Sequence, residues 1–193
     1  MSSWAAERRE FIRICRRALS MGMQGSSGGN LSMRLQESLF LAKPSGIALY
    51  DLEDRDLLVI DDSGTPEQGE QKPTKEIHSH LAIYRVREDL GGVVHYHQPF
   101  STTYAVCRVE IPLKTVHARR ILGKIPVVPP HAEGSEALAA SIEKVFSDKS
   151  VQAVLLFDHG VIAAGPALSD AQNAAELAEE SARIAYLSSL LRS

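Results

Sequence analysis

The apolar positions along this chain recur in two rhythms, one helical and one extended. Phe11, Ile14, Cys15 and Leu19 fall three or four apart with arginines on the other side, which predicts a helix over residues 3–21. Ile77, Leu81, Tyr84 and Val86 repeat that spacing over residues 77–87, and residues 135–146 read as an amphipathic helix. Residues 101–106 begin another, and a long closing helix spans 169–191, where Ser169 followed by Gln172 has the form of a capping box. Between them lie short apolar runs that predict strands at 31–35, 39–42, 57–60, 93–97, 125–128 and 151–157. Residues 161–164 fit as the hairpin partner of the last, across Asp158-His159-Gly160. Residues 22–30 are a Gly/Ser loop, Pro44-Ser45-Gly46 and Asp61-Asp62-Ser63-Gly64 are turns, and residues 67–75 are polar and irregular. Neither a repeat nor a linker interrupts this order. It describes one α/β domain over residues 1–193, an αβα arrangement with a mainly antiparallel central sheet and helices on both faces.

Composition narrows the class without naming it. A length of 193 residues can bury one sizeable core, and 44% hydrophobic with 23% charged residues is ordinary for a soluble globular chain. The net charge of −3, with no basic run, argues against a nucleic-acid partner. There is no apolar signal core at the start and no apolar stretch of about 18 residues, so neither export nor a membrane partner is expected. Two cysteines, Cys15 and Cys107, make no disulfide framework, and the expected compartment is the cytoplasm.

Candidate chemistry gathers at Val93-Val94-His95-Tyr96-His97. Residues two apart on a strand share a face, so His95 and His97 project together. His159, at the end of another apolar run, is a third candidate ligand, and Glu76 could bring a carboxylate to the same point. Three imidazoles with a position left open form the donor set of a catalytic zinc site. An isolated His-x-His pair serves equally well as two locally bonded histidines, and Glu76 at a helix start also complements the helix dipole. The Gly25-Ser26-Ser27-Gly28-Gly29-Asn30 loop is either a plain connector or a nest of N–H groups for a phosphate. Ser45-Gly46 is equally a turn or part of that nest, and Thr74 with Lys75 would add a hydroxyl and an ammonium. His80, one turn after Glu76, reads as a satisfied helix-face histidine; His78, His117 and His131 read as surface or supporting residues, and the five tyrosines as packing.

Taken together, six segments in order resemble the class II aldolase/adducin family over nearly the whole chain. They are Gly29-Asn30-Leu31-Ser32-Met33-Arg34, Lys43-Pro44-Ser45-Gly46, Pro73-Thr74-Lys75-Glu76, His80-Leu81-Ala82-Ile83-Tyr84-Arg85, Val93-Val94-His95-Tyr96-His97, and His159-Gly160-Val161 with Gly165 behind it. The resemblance implies one zinc ion per subunit on His95, His97 and His159, with Mn2+ or Co2+ as other ions of similar preference, and Glu76 as neighbouring ligand and acid/base. It implies a substrate phosphate on Gly29, Asn30, Ser45, Gly46, Thr74 and Lys75, and a homotetramer with active sites between subunits. The implied activity is reversible cleavage of a short ketose 1-phosphate, of the fuculose or 5-deoxyribulose type, to dihydroxyacetone phosphate and an aldehyde.

Three departures bear on the substrate. Lys75 replaces the family's usual second hydroxyl residue, as it often does in members that decarboxylate 3-oxo sugar-acid phosphates, which keeps a decarboxylase as the alternative. Asp158 replaces the usual Asn before the third histidine. His117 follows Ile111-Pro112 where fuculose-phosphate aldolases carry a tyrosine, which leaves the second acid open. Pentulose-phosphate epimerases usually carry Asp where Glu76 stands, and the adducin-type scaffold lacks the metal ligands that this chain retains.

Overall fold

The computed structural model describes residues 4–191. Eight strands form one sheet: β1 (Asn30–Gln36), β2 (Leu39–Ala42), β3 (Leu58–Asp61), β4 (Pro66–Gln68), β5 (Gly92–Tyr96), β6 (Val127–Val128), β7 (Ala153–Leu156) and β8 (Gly160–Gly165). Their order is β4-β3-β2-β1-β5-β8-β7-β6. Each neighbouring pair is antiparallel except β6 with β7, which is parallel. The helices are α1 (Ala5–Ser20), α2 (Ile77–Val86), α3 (Pro99–Val106), α4 (Val116–Leu122), α5 (Glu136–Phe146) and α6 (Leu168–Leu190).

Why the central strands read as unbroken apolar runs is plain from the layers. Val94, Tyr96, Leu155, Val161 and Ala163 join a core with α1, α3, α4 and α6, while Val93, Val154, Leu156 and Ile162 join a second core with α2 and α5. Adjacent residues of one strand thus enter opposite cores, and both faces of the sheet are covered. The expected αβα arrangement is the one observed.

Several local expectations need correction. The run 151–157 is a strand only over Ala153–Leu156, because the chain must turn at residues 157–159 to reach β8. The polar stretch 67–75 hides edge strand β4, whose side chains are all exposed, so it carries no apolar alternation to find. Helix α4 was absent from the hydrophobic pattern because it is short and buries only Ala118 and Leu122; its signal is the cap, where the Thr115 hydroxyl accepts from the Ala118 N–H at 3.1 Å. Ser169 and Gln172 do not cap α6. Asp170 accepts from the Ala167 N–H at 3.1 Å, and Gln172 is buried, accepting from the Tyr96 hydroxyl at 2.7 Å. Residue 3 of the first expected helix lies outside the described residues.

Candidate active site

Three elements bring the histidines together. His95 lies on β5 and His97 one residue beyond its end, both on the face that meets α2. His159 comes from the three-residue hairpin turn between β7 and β8. That turn needs a left-handed residue, supplied by Asp158 at φ 55°, a region that Asp tolerates better than most side chains. Gly160 then lies so close to the strand that a Cβ would stand 2.4 Å from the Tyr96 carbonyl oxygen and 2.9 Å from the His97 ring. The absence of a side chain there permits the two histidine-bearing segments to approach.

The donors converge. His95 Nε2 is 2.9 Å from His97 Nε2 and 3.3 Å from Glu76 Oε2, and His159 Nε2 is 3.5 Å from Glu76 Oε1. His95 Nδ1 donates to the Val161 carbonyl at 3.0 Å, which leaves its Nε2 lone pair facing the other donors. The His97 N–H donates to the buried Gln24 side-chain oxygen at 3.0 Å. Burial holds the His95 imidazolium form far out of reach, with the neighbouring His159 and His97 acting in the same direction; His97 is lowered for the same reasons. Neutral imidazoles are the form that ligates metal.

Glu76 sits just before α2, where the strand-side partner Asn30 donates to its Oε2 at 2.8 Å. Its other oxygen, Oε1, is buried and unpartnered. A buried carboxylate oxygen without a hydrogen bond is costly unless a cation or proton meets it. Three bare imidazole nitrogens and this oxygen therefore fit a first-row divalent ion.

Beside this group opens a cleft of about 200 Å³, and its walls include Gly29, Asn30, Ser45, Gly46, Thr74 and Lys75. All six sequence candidates for phosphate contact thus come to one place. Lys43 and Glu133 also line it and were not singled out from the sequence. Lys43 was hidden because a lysine before Pro-Ser-Gly looks like a solvated turn residue; it is instead buried, donates to the Pro44 carbonyl at 3.2 Å, and has its ammonium pKa lowered by burial. His117 is not at this cleft. It is exposed on α4 and lines a groove on the opposite face of the sheet, between α4 and α6.

His80 is more buried than a helix-face residue should be. It is fully enclosed, its Nδ1 lies 2.8 Å from the Ser32 hydroxyl, and its Nε2 has no partner. Burial pulls its pKa down to about 3. Ser32 also meets the Tyr84 hydroxyl at 3.0 Å, so Asn30 and Ser32, two apart on β1, tie down Glu76, His80 and Tyr84, four apart along α2.

The profile of the class II aldolase and adducin N-terminal domain matches residues 9–186. The chain belongs to the class II aldolase and adducin family. Among the relatives of this family member, an L-fuculose phosphate aldolase of Methanocaldococcus jannaschii is 34% identical over 186 residues, covering 96% of this chain and 99% of that one. A 3-oxo-tetronate 4-phosphate decarboxylase of Escherichia coli K12 is 32% identical over 186 residues, covering 93% of this chain and 86% of the other. A solved L-fuculose 1-phosphate aldolase superposes with a TM-score of 0.91 at 28% identity, over 100% of this chain and 90% of that one. In this class II aldolase fold the histidines, Glu76 and the cleft are contributed by the ends of β1 and β5, the turn after β7 and the start of α2, on one side of the sheet.

Proposed function

We propose that this protein is a metal-dependent carbon–carbon lyase that reversibly cleaves a short ketose 1-phosphate, of the fuculose 1-phosphate or 5-deoxyribulose 1-phosphate type, to dihydroxyacetone phosphate and an aldehyde. The observation that carries the reading is the grouping of His95, His97 and His159, with Glu76 against His95 and His159, beside a cleft lined by Gly29, Asn30, Ser45, Gly46, Thr74 and Lys75. His95, His97 and His159 would hold the ion, one per subunit, with zinc the first choice for three imidazoles and Mn2+ or Co2+ as substitutes. When bound, that ion supplies Lewis-acid stabilisation of negative charge developing on substrate oxygen.

The chain's own residues do the rest. Asn30 holds Glu76 Oε2 by a hydrogen bond, which leaves Oε1 as the oxygen that carries the proton. In cleavage the hydroxyl that becomes the aldehyde oxygen gives up its proton to solvent as the carbon–carbon bond breaks, and Glu76 delivers its own proton to the carbon that has lost its partner. In synthesis Glu76 removes that carbon-bound proton and the new alkoxide takes one from solvent. Backbone N–H groups at Gly29 and Gly46, with the Ser45 and Thr74 hydroxyls and the Lys75 ammonium, would hold the phosphate and fix the distance from it to Glu76. The same reading makes the protein a cytoplasmic homotetramer with its sites between subunits, and its free Cys15 and Cys107 accord with a reducing compartment.

Lys75 favours a second reading. Its position on the cleft wall suits a carboxylate, and a decarboxylase of 3-oxo-tetronate 4-phosphate type would use the same ion and acid. Dihydroxyacetone phosphate release from fuculose, rhamnulose, ribulose and 5-deoxyribulose 1-phosphates, with and without zinc, tests the first reading. Release that requires both zinc and Glu76 supports the aldolase; no release from any of the four by zinc-loaded protein transfers the assignment to the decarboxylase.

A further inference from the structure

Glu133 is the unexpected member of this site. It is exposed, on the loop between β6 and α5, yet its carboxylate lies with those of Glu76 and the His159 imidazole in a group whose ligand atoms are all within 4.8 Å of one another. It also lines the cleft. The loop is held there by backbone contact. Gly134 has φ 70°, and a Cβ on it would stand 2.8 Å from the Lys75 carbonyl oxygen, so the loop lies directly on the segment that leads into Glu76. Glu76, the other carboxylate of this group, keeps its Oε1 buried and without a hydrogen-bond partner, so a polar group of a bound ligand would find an open acceptor beside Glu133.

The cleft carries charge of both signs. Lys43, Lys75 and Glu133 all line its walls, and of these Glu133 is the one that groups with Glu76 and His159, beside which the reacting end of a bound phosphate ester would lie. Two unit charges about 4 Å apart interact by about 1 kcal/mol in bulk water and by about 4 kcal/mol near a protein surface. A second anionic group on the substrate, held beside Glu133, would meet that repulsion; a hydroxyl in its place would instead find a hydrogen-bond acceptor.

We propose that Glu133 is a specificity-determining residue, admitting phosphate esters whose other end is hydroxylated and disfavouring those that bear a carboxylate there. This rests on the aldolase reading of the same site, and it gives a reason within the chain for preferring a ketose 1-phosphate over a 3-oxo acid phosphate.

A matched pair of ligands tests it without turnover. Erythritol 4-phosphate and 4-phosphoerythronate share a carbon chain and a phosphate, and differ in a terminal hydroxymethyl against a carboxylate. Their dissociation constants would be measured by calorimetry on zinc-loaded protein, in the unaltered chain, in Glu133→Gln, and in Glu67→Gln, an equal charge change on edge strand β4. Glu133→Gln is expected to tighten 4-phosphoerythronate about tenfold while moving erythritol 4-phosphate less than about twofold, and Glu67→Gln to leave the ratio as it was. An unchanged ratio in Glu133→Gln, an equal change in Glu67→Gln, or no binding of either ligand overturns the proposal. Because the ratio is read from binding, failure to release dihydroxyacetone phosphate would sink the aldolase reading alone, whereas release with an unchanged ratio would sink this one alone.

Discussion

Glu76 shows how much one side chain's two oxygens can be made to differ. Oε2 accepts from Asn30, while Oε1 is buried with no donor and faces His159. Glu76→Gln keeps the shape and removes the proton carrier, so kcat for the proposed cleavage should fall about 10²- to 10⁴-fold while zinc still binds; retention of more than about a tenth of the activity would rule out the assigned role. Asn30→Leu should act less directly, by releasing Oε2, and is expected to raise KM as well as lower kcat because Asn30 also lines the cleft. Asp158 carries a different burden. At φ 55° it turns the chain into His159, and a β-branched residue there is strained, so Asp158→Val should lose about 1–3 kcal/mol in urea unfolding and weaken zinc binding, whereas Asp158→Asn should be nearly neutral.

At the scale of elements, the site depends on the β5–β8 pair and on the zipper between β1 and α2. Strand β8 comes close to the end of β5 at Gly160, where an added methyl would meet the Tyr96 carbonyl and the His95 and His97 imidazoles. Gly160→Ala should therefore cost about 1–3 kcal/mol and disturb His95 and His97 together; calorimetric zinc titration, which separates affinity from stability, would show weakened binding per folded molecule. The β1–α2 zipper buries His80 in its neutral form. Its pKa is about 3 in the fold against an unperturbed value of 6.5, so below that unperturbed value the unfolded chain binds the extra proton and the native state loses stability as pH falls. Metal-free protein is expected to be less stable at about pH 5 than at about pH 7.5 by about 2 kcal/mol from His80 alone. Chemical denaturation at the two pH values, repeated with His80→Asn, would measure it; an identical pH dependence in that variant would remove His80 from the account.

For the whole molecule, an ion held by His95, His97 and His159 would be part of the folding equilibrium. A ligand at about a thousand times its dissociation constant stabilises a protein by about 4 kcal/mol, and for a chain of this size 1 kcal/mol moves Tm by about 2–4 °C. Saturating zinc should thus raise Tm by roughly 10 °C, and His97→Ala should abolish the rise. A rise of equal size in that variant would place the ion elsewhere.

Much of this was legible in the sequence, for a physical reason in each case. The helix and strand rhythms, the αβα class and the pairing of His95 with His97 are consequences of local periodicity, because backbone geometry alone decides which side chains share a face. The six ordered segments pointed to the family and to Glu76, His159 and the cleft residues. What periodicity cannot convey is which distant groups meet when the layers close. Edge strand β4 has no buried face and α4 very little, so neither left a pattern. His80 became a buried neutral group because β1 lies over α2, whereas Lys43 is enclosed because its turn folds inward, and Gln172 because Tyr96 reaches it across the sheet–helix interface. Glu133 reaches the cleft from a loop that rests on the Lys75 backbone at Gly134, a contact that local sequence does not show. Local sequence determined the elements and the shared face of His95 and His97; packing determined which charges face one another, since that depends on contacts between segments far apart in the chain.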